Sequence, residues 1–221
     1  MGIAFRDYYH PCFTRDGGVI FDSKNDQYIL LSDEETTIIQ AALLNPEFND
    51  ALSPKLETLI VPSVTGEREP VASQIARGMN DYSWRYLPEN PTAYVSGRAK
   101  PRLILWVYLI QILIKRRGIV GAVNFITRHR WLFRKWLPIL DINAFSDDIM
   151  VASRLSPFRF ECLEFAIAVR CYALVRSIAN TRLYLGIQRF PFVAHAWVEH
   201  NEKPIGDDPN LRNRAAVIFQ I

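Results

Sequence analysis

The chain has 221 residues, 49% of them hydrophobic and 22% charged, which is the composition of a folded chain of one or two domains and excludes a mainly disordered one. Its net charge of +3 hides an asymmetry: residues 1–85 carry 7 Lys+Arg against 13 Asp+Glu, and residues 86–221 carry 19 against 10. Three cysteines, with no CxxC pair, exclude a disulfide framework or zinc ribbon and point to a reducing compartment.

From Tyr8 to Leu31 the pattern is one of short strands separated by turns at Asp16-Gly17-Gly18 and at Asp22 to Asp26. Ser32 stands three residues before Glu35, the spacing of a capping box, and Ile38, Ile39, Ala42 and Leu43 supply a helical stripe behind it. Prolines then divide the chain into short helical pieces, Ser53 to Val61 and Val71 to Met79. Residues 1–85 read as a small α+β unit, and Pro88, Asn90, Pro91 and Gly97 as a linker.

The second part opens with a helix over Arg102 to Arg117 that Gly118 stops. Between Glu89 and Asp141 there is no acidic residue, while basic residues from Arg98 to Lys135 interleave with Trp106, Tyr108, Trp131, Phe133 and Trp136. This stretch reads as a solvated basic face over an aromatic core, with a protein partner, an anionic membrane surface and nucleic acid as alternatives. The apolar run Leu103 to Ile114 is too short to cross a bilayer, for which about 20 residues are needed. Met1 to His10 has no basic-then-apolar signal, so the expected location is the cytoplasm.

Phe160 to Ala179 is apolar on nearly every side and is expected to be a helix at the centre of its domain. Strands follow at Arg182 to Gln188 and Phe192 to Glu199, then a turn at His200-Asn201-Glu202 and a strand through Pro204 and Ile205. The second part is thus a central helix against an antiparallel sheet.

Cys162 lies near the start of the central helix, where the positive end of the helix dipole is expected to lower a thiol's pKa. Cys171 lies nine residues on, on the opposite face, and reads as core, as does Cys12. His195 sits in a strand between two alanines. With the turn centred on Asn201, antiparallel pairing places Asp207 directly opposite His195, and a bulge would exchange Asp207 for Asp208. A helix-borne Cys, a strand-borne His and an orienting Asp suit acyl transfer.

Other motifs are absent or weak. His195, Glu199 and His200 are mis-spaced for a zinc helix, His10 and His129 read as surface or capping residues, and no phosphate-binding or dinucleotide-binding glycine pattern is present. No cofactor is therefore expected.

The run Cys162-Leu163-Glu164, then Gly186-Ile187-Gln188-Arg189, Pro191-Phe192, His195-Ala196-Trp197-Val198-Glu199 and Asp207 resembles the transglutaminase-like cysteine peptidases of lasso-peptide biosynthesis, the B proteins. Residues 15–45 resemble the peptide-recognition element fused to many of them. The resemblance implies an α+β chain: a three-stranded winged-helix-like recognition domain over 1–85, then a papain/transglutaminase-like domain over 86–221. It implies a leader peptidase that frees the core peptide for macrolactam formation by an asparagine-synthetase-like cyclase. Cys162 takes the nucleophile's role, His195 the base's and Asp207 the orienter's. ATP dependence is ascribed to some members, but no nucleotide motif accompanies it here. The basic stretch 98–135 is expected to position a membrane, exporter or other partner, and an acidic unit of charge −6 argues against DNA. The alternatives are a non-hydrolytic chaperone that presents the precursor to the cyclase, and amide transfer by the same three residues.

Overall fold

The computed structural model describes residues 2–45, 52–63, 78–79, 100–154 and 160–221. By packing, these residues divide into two compact units. The first takes residues of 1–79 together with Gly186–Ala194 and Arg212–Phe219, and the second takes those of 80–185 with His195–Leu211 and Gln220–Ile221.

The first unit is built on a three-stranded antiparallel sheet, β2 (Tyr9–Thr14), β3 (Gly17–Asp22) and β4 (Gln27–Leu30), with β3 in the middle. Arg15 and Asp16 form the first hairpin loop, since Thr14 pairs with Gly17. Gly18 is required for close approach: a Cβ there would meet Phe13, Leu31 and Thr36 at 3.0–3.1 Å, and its N–H donates to the Thr36 hydroxyl at 2.9 Å. The second loop is tied by Asp22, whose carboxylate accepts from the Lys24 and Asn25 N–H groups and the Asn25 amide.

Ser32 caps α1 (Asp33–Leu44) and completes the capping box: the Glu35 N–H donates to Ser32 Oγ at 3.0 Å, and the Ser32 N–H donates to the Glu35 carboxylate at 2.8 Å. The apolar stripe of α1 enters a core of Phe5, Phe13, Ile20, Leu31, Ile39, Leu56, Leu59 and Ile60. Within this unit Arg189 donates to the Leu31 carbonyl at 2.7 Å, and Phe192 meets the Tyr28 ring edge-on.

The helix expected over Ser53 to Val61 is corrected. Only α2 (Pro54–Glu57) is helical, and Ile60–Ser63 forms strand β5, antiparallel to β1 (Gly2–Phe5). The β-branched pair Ile60-Val61 finds main-chain partners 57 residues upstream of Val61 at Ala4, a long-range term that local pattern does not carry. The helix expected over Val71 to Met79 and the linker around Pro88 to Gly97 lie outside the described residues, apart from Gly78 and Met79.

The second unit is helical around one central element. Helix α3 (Lys100–Arg128) is broken at Gly118, whose φ of 69° lies in the left-handed region, so the expected stop is a kink after which the helix resumes. Two helices that the sequence reading did not separate follow, α4 (Arg130–Trp136) and α5 (Ile142–Arg154). His129 closes the junction of α3 and α4, its Nδ1 lying 2.9 Å from the Phe125 carbonyl.

Helix α6 (Cys162–Arg176) is the central helix, buried along nine of its residues from Phe165 to Val175. The small residues Ala166, Ala168 and Ala173 admit close neighbours. Trp106 of α3 donates its indole N–H to the Ala168 carbonyl at 3.2 Å, and Phe145 of α5 stacks on Tyr172 at 3.6 Å between ring centroids. The helix ends earlier than expected, at Ser177, which takes the left-handed conformation itself, while Asn180 (φ 53°) turns the chain into the next strand.

The C-terminal sheet has the order β8 (Lys203–Pro204), β7 (Val193–His200), β6 (Thr181–Gln188), β9 (Ala216–Gln220), with the short α7 (Leu211–Arg214) leading into β9. The fold is thus mixed, with antiparallel sheets and a buried central helix.

The capping box is the local feature most exposed to test. Ser32→Ala removes the hydroxyl acceptor at the start of α1 and is expected to lower unfolding free energy by about 1 kcal/mol in a urea titration. Ser32→Asp, which keeps an acceptor at that position, is expected to restore most of it.

Candidate functional site

Three side chains singled out in the sequence fall in the second unit. Cys162 is the first residue of α6, His195 lies in β7, and Asp207 follows β8. His195 Nε2 stands 2.8 Å from Asp207 Oδ2, with both side chains almost wholly buried, at 4% and 7% exposure.

The contact is not made by strand pairing in the expected register. Glu199 pairs with Pro204 and His200 with Lys203, and the Ile205 N–H donates to the Val198 carbonyl, a ladder offset by one residue from a turn centred on Asn201. Continued, that ladder would place Asp208 opposite His195. It is interrupted by Gly206, whose φ of 63° is left-handed and whose missing side chain leaves room for the Ser146 hydroxyl, 2.7 Å from where a Cβ would lie. The break aims Asp207 at the imidazole. Asp208 instead donates its N–H to Asp207 Oδ1 at 2.8 Å and accepts the Asn210 N–H.

Alternation along β7 puts His195, Trp197 and Glu199 on one face, all buried. The Trp197 ring lies nearly parallel to the imidazole (centroids 6.1 Å apart) and to Tyr184 (5.5 Å), and its indole N–H donates to Glu199 at 2.9 Å. Tyr184, Trp197, Glu199 and Gly206 were not singled out as site residues in the sequence. The available signals were the alternation in His195-Ala196-Trp197-Val198-Glu199 and a glycine immediately before two acids.

Cys162 Sγ accepts hydrogen bonds from the backbone N–H groups of Leu163 and of Ala196, the residue after His195. This second bond places the sulfur against β7, at the backbone of the residue that follows His195. The expectation of a lowered thiol pKa is corrected: desolvation pushes it up, and the carboxylates of Glu161 and Glu164 add to the rise, outweighing the two N–H donors. Both acids belong to the capping box of α6, in which the Glu161 N–H donates to Glu164 at 3.0 Å. The resting group is therefore a thiol, as a raised pKa requires at neutral pH.

Burial acts in opposite directions on the other two groups. It lowers His195 to about 4 and raises Asp207 to about 7. Taken as a unit, the pair holds one extra proton between about 4 and about 7 and releases it above about 7. While that proton is present, Nδ1 is protonated whether the charge rests on an imidazolium or the pair is neutral with a carboxylic acid donating to Nε2. Once it leaves, Nε2–H donates to the Asp207 carboxylate and Nδ1 is the unprotonated nitrogen, able to accept.

The other candidate residues fall elsewhere. Cys12 and Cys171 are fully buried, their thiols pushed up to about 11 and about 12. His10 lies in β2 against Ser23, Phe21 and Phe219. Among the described residues no group of three or more His, Cys, Asp or Glu is placed to hold a metal ion. No helix among them is long and apolar enough to cross a membrane.

Of the three thiols only Cys162 is partly exposed. Iodoacetamide applied to the native protein is expected to add one carbamidomethyl group, located by peptide mapping at Cys162. Labelling of Cys12 or Cys171 at a comparable rate without denaturant would contradict the packing described.

Parts of the chain match known proteins. Over 74 residues, 34% of this chain and 35% of the relative's, the chain is 31% identical to the microcin J25-processing protein McjB of Escherichia coli. The match thus spans about a third of that relative's length. No solved structure matches the chain. Residues 105–220, which contain Cys162, His195 and Asp207, match the model of the transglutaminase-like superfamily, and the chain belongs to that superfamily.

Proposed function

We propose that the protein is a cysteine peptidase that removes the leader from a ribosomally made lasso-peptide precursor. The observation that carries this reading is the buried His195–Asp207 hydrogen bond with Cys162 Sγ held at the N–H of the next residue along β7. Support for the substrate class comes from the partial likeness to a protein whose name describes processing of microcin J25.

In this mechanism Asp207 fixes the imidazole through Nε2 and leaves Nδ1 to accept the Cys162 proton. The thiolate attacks the carbonyl at the leader–core junction. The N-terminal end of α6 stabilises the developing oxyanion: Leu163 N–H is used by the sulfur and Glu164 N–H by the Glu161 side chain, which leaves Cys162 N–H to face the substrate. The imidazolium then gives its proton to the departing amine, which becomes the free N-terminus of the core, and water resolves the thioester. A desolvated thiol beside a base suits this sequence, because proton transfer is coupled to attack and no idle thiolate is exposed to oxidation.

Residues 1–85 serve as the leader-recognition element and 86–221 as the peptidase domain. The three-stranded sheet β2-β3-β4 with α1 against it is the element that would take an extended leader as an added strand, main-chain bonds supplying affinity and flanking pockets the choice of sequence. The released core passes to a lactam-forming cyclase as partner.

The test is mass spectrometry of a co-expressed precursor. Wild-type protein is expected to yield separate leader and core, and Cys162→Ala to leave the precursor intact, with a loss of at least about 10⁴-fold in rate. Cleavage that survives Cys162→Ala sinks the proposal. With purified components the rate is expected to rise with pH through about 7, where the pair loses the proton that blocks Nδ1. Asp207→Asn is expected to abolish that rise and to slow the reaction by about 10⁴-fold.

A further inference from the structure

The chemistry above uses nothing from the basic stretch that separates the first part of the sequence from α6. Between Glu89 and Asp141 the sequence has no acidic residue, and all eight Lys and Arg side chains between 102 and 135 are exposed. Charge alone would describe an ordinary solvated face. What distinguishes this one is the apolar side chains exposed among the cations: Leu105 at 57%, Trp131 at 65% and Ile139 at 85% exposure, with Ile112 and Leu132 about half exposed.

The helices explain the placement. In α3 before its kink, Arg102, Leu105, Ile112 and Arg116 fall within an arc of about 80° at about 100° per residue, turned away from the buried face of Leu103, Trp106, Val107 and Ile110. Helix α4 has no buried residue. It is held through Phe133 and Trp136, which meet Trp106 at 5.5 and 6.4 Å, and through backbone carbonyls that accept from Arg102 and Arg176. Anchoring by these groups turns Arg130, Trp131, Leu132, Arg134 and Lys135 outward on a fixed frame.

We propose that the outer face of α3 and α4 docks the protein on an anionic lipid bilayer, with α4 lying in the headgroup plane and Trp131 and Leu132 reaching the acyl boundary. The occupant follows from charge complementarity. Each exposed cation gains from a negatively charged surface, and the absence of acids over 51 residues removes the repulsion that would oppose it. Lipid needs no shape match. It needs positive charge, long basic stems that can lie along apolar surface, and an aromatic ring at the water boundary, all of which α4 supplies. The docking so described is peripheral and reversible, resting on surface charge and a few shallowly inserted side chains.

The test is co-sedimentation of the full chain with sucrose-loaded vesicles of phosphatidylcholine alone or mixed with phosphatidylglycerol. Binding is expected to the mixed vesicles only, and to vanish at about 1 M salt, where the screening length falls to about 3 Å. Replacing Arg130, Arg134 and Lys135 together by Gln is expected to lower the partition constant about a hundredfold. Trp131→Ala, which removes an exposed ring outside the core, is expected to lower it about tenfold while circular dichroism stays that of the wild type. Three results would overturn the proposal: no binding to the mixed vesicles at low salt, equal binding to phosphatidylcholine, or binding that both variants retain. Self-association without lipid that the same substitutions abolish would assign the face to a second copy instead.

Discussion

The site depends on one hydrogen bond, from a buried imidazole to a buried carboxylate, and on the glycine that makes it possible. A strand ladder continued from Ile205 would bring Asp208 to His195. The left-handed turn at Gly206 takes the chain out of the ladder, and Asp207 reaches Nε2 instead. Both groups lose most of their water, so each is pushed toward its neutral form, and the energy of the contact is concentrated in one proton shared across 2.8 Å. The stack of Tyr184 and Trp197 beside the imidazole fixes the ring plane, and Glu199 satisfies the indole N–H that this stack buries.

The thiol is governed by the same economy of water. A helix N-terminus favours an anion, but Cys162 shares its first turn with Glu164 and follows Glu161, and the sulfur is largely desolvated. These effects outweigh the two backbone N–H donors at the sulfur. The consequence is a sulfur that rests as a thiol, and in the proposed mechanism its reactivity is tied to the protonation state of the His–Asp pair. The backbone bond from Ala196 gives the sulfur its place, since the strand that carries His195 also supplies the donor.

Much of this was legible in the residues. Ser32 and Glu35 announced a capping box that forms with both bonds, the apolar run from Phe160 to Ala179 announced α6 to within a few residues at each end, and the alternation from Phe192 to Glu199 announced β7. These are local signals, each set by spacing within a turn or a strand. What escaped was set by distance or by burial. Strand β5 depends on pairing with β1 at the other end of the first unit, and no pattern within Ser53 to Val61 expresses that. The thiol shift depends on how much water the fold removes. The grouping of Gly186–Ala194 and Arg212–Phe219 with the first unit depends on tertiary contacts of Arg189, Phe192 and Phe219. The choice of Asp207 over Asp208 was anticipated, though from a register that the strand does not adopt.

The proton arrangement at His195 decides whether Nδ1 can accept, and nitrogen-15 NMR of the imidazole reads it directly. Above about pH 7 the spectrum should show Nε2 as the protonated nitrogen and Nδ1 as the bare one, and lowering the pH should add a proton to the pair near 7 and a second near 4. A single titration near the ordinary histidine value of about 6.5, or Nδ1 protonated at high pH, would contradict it.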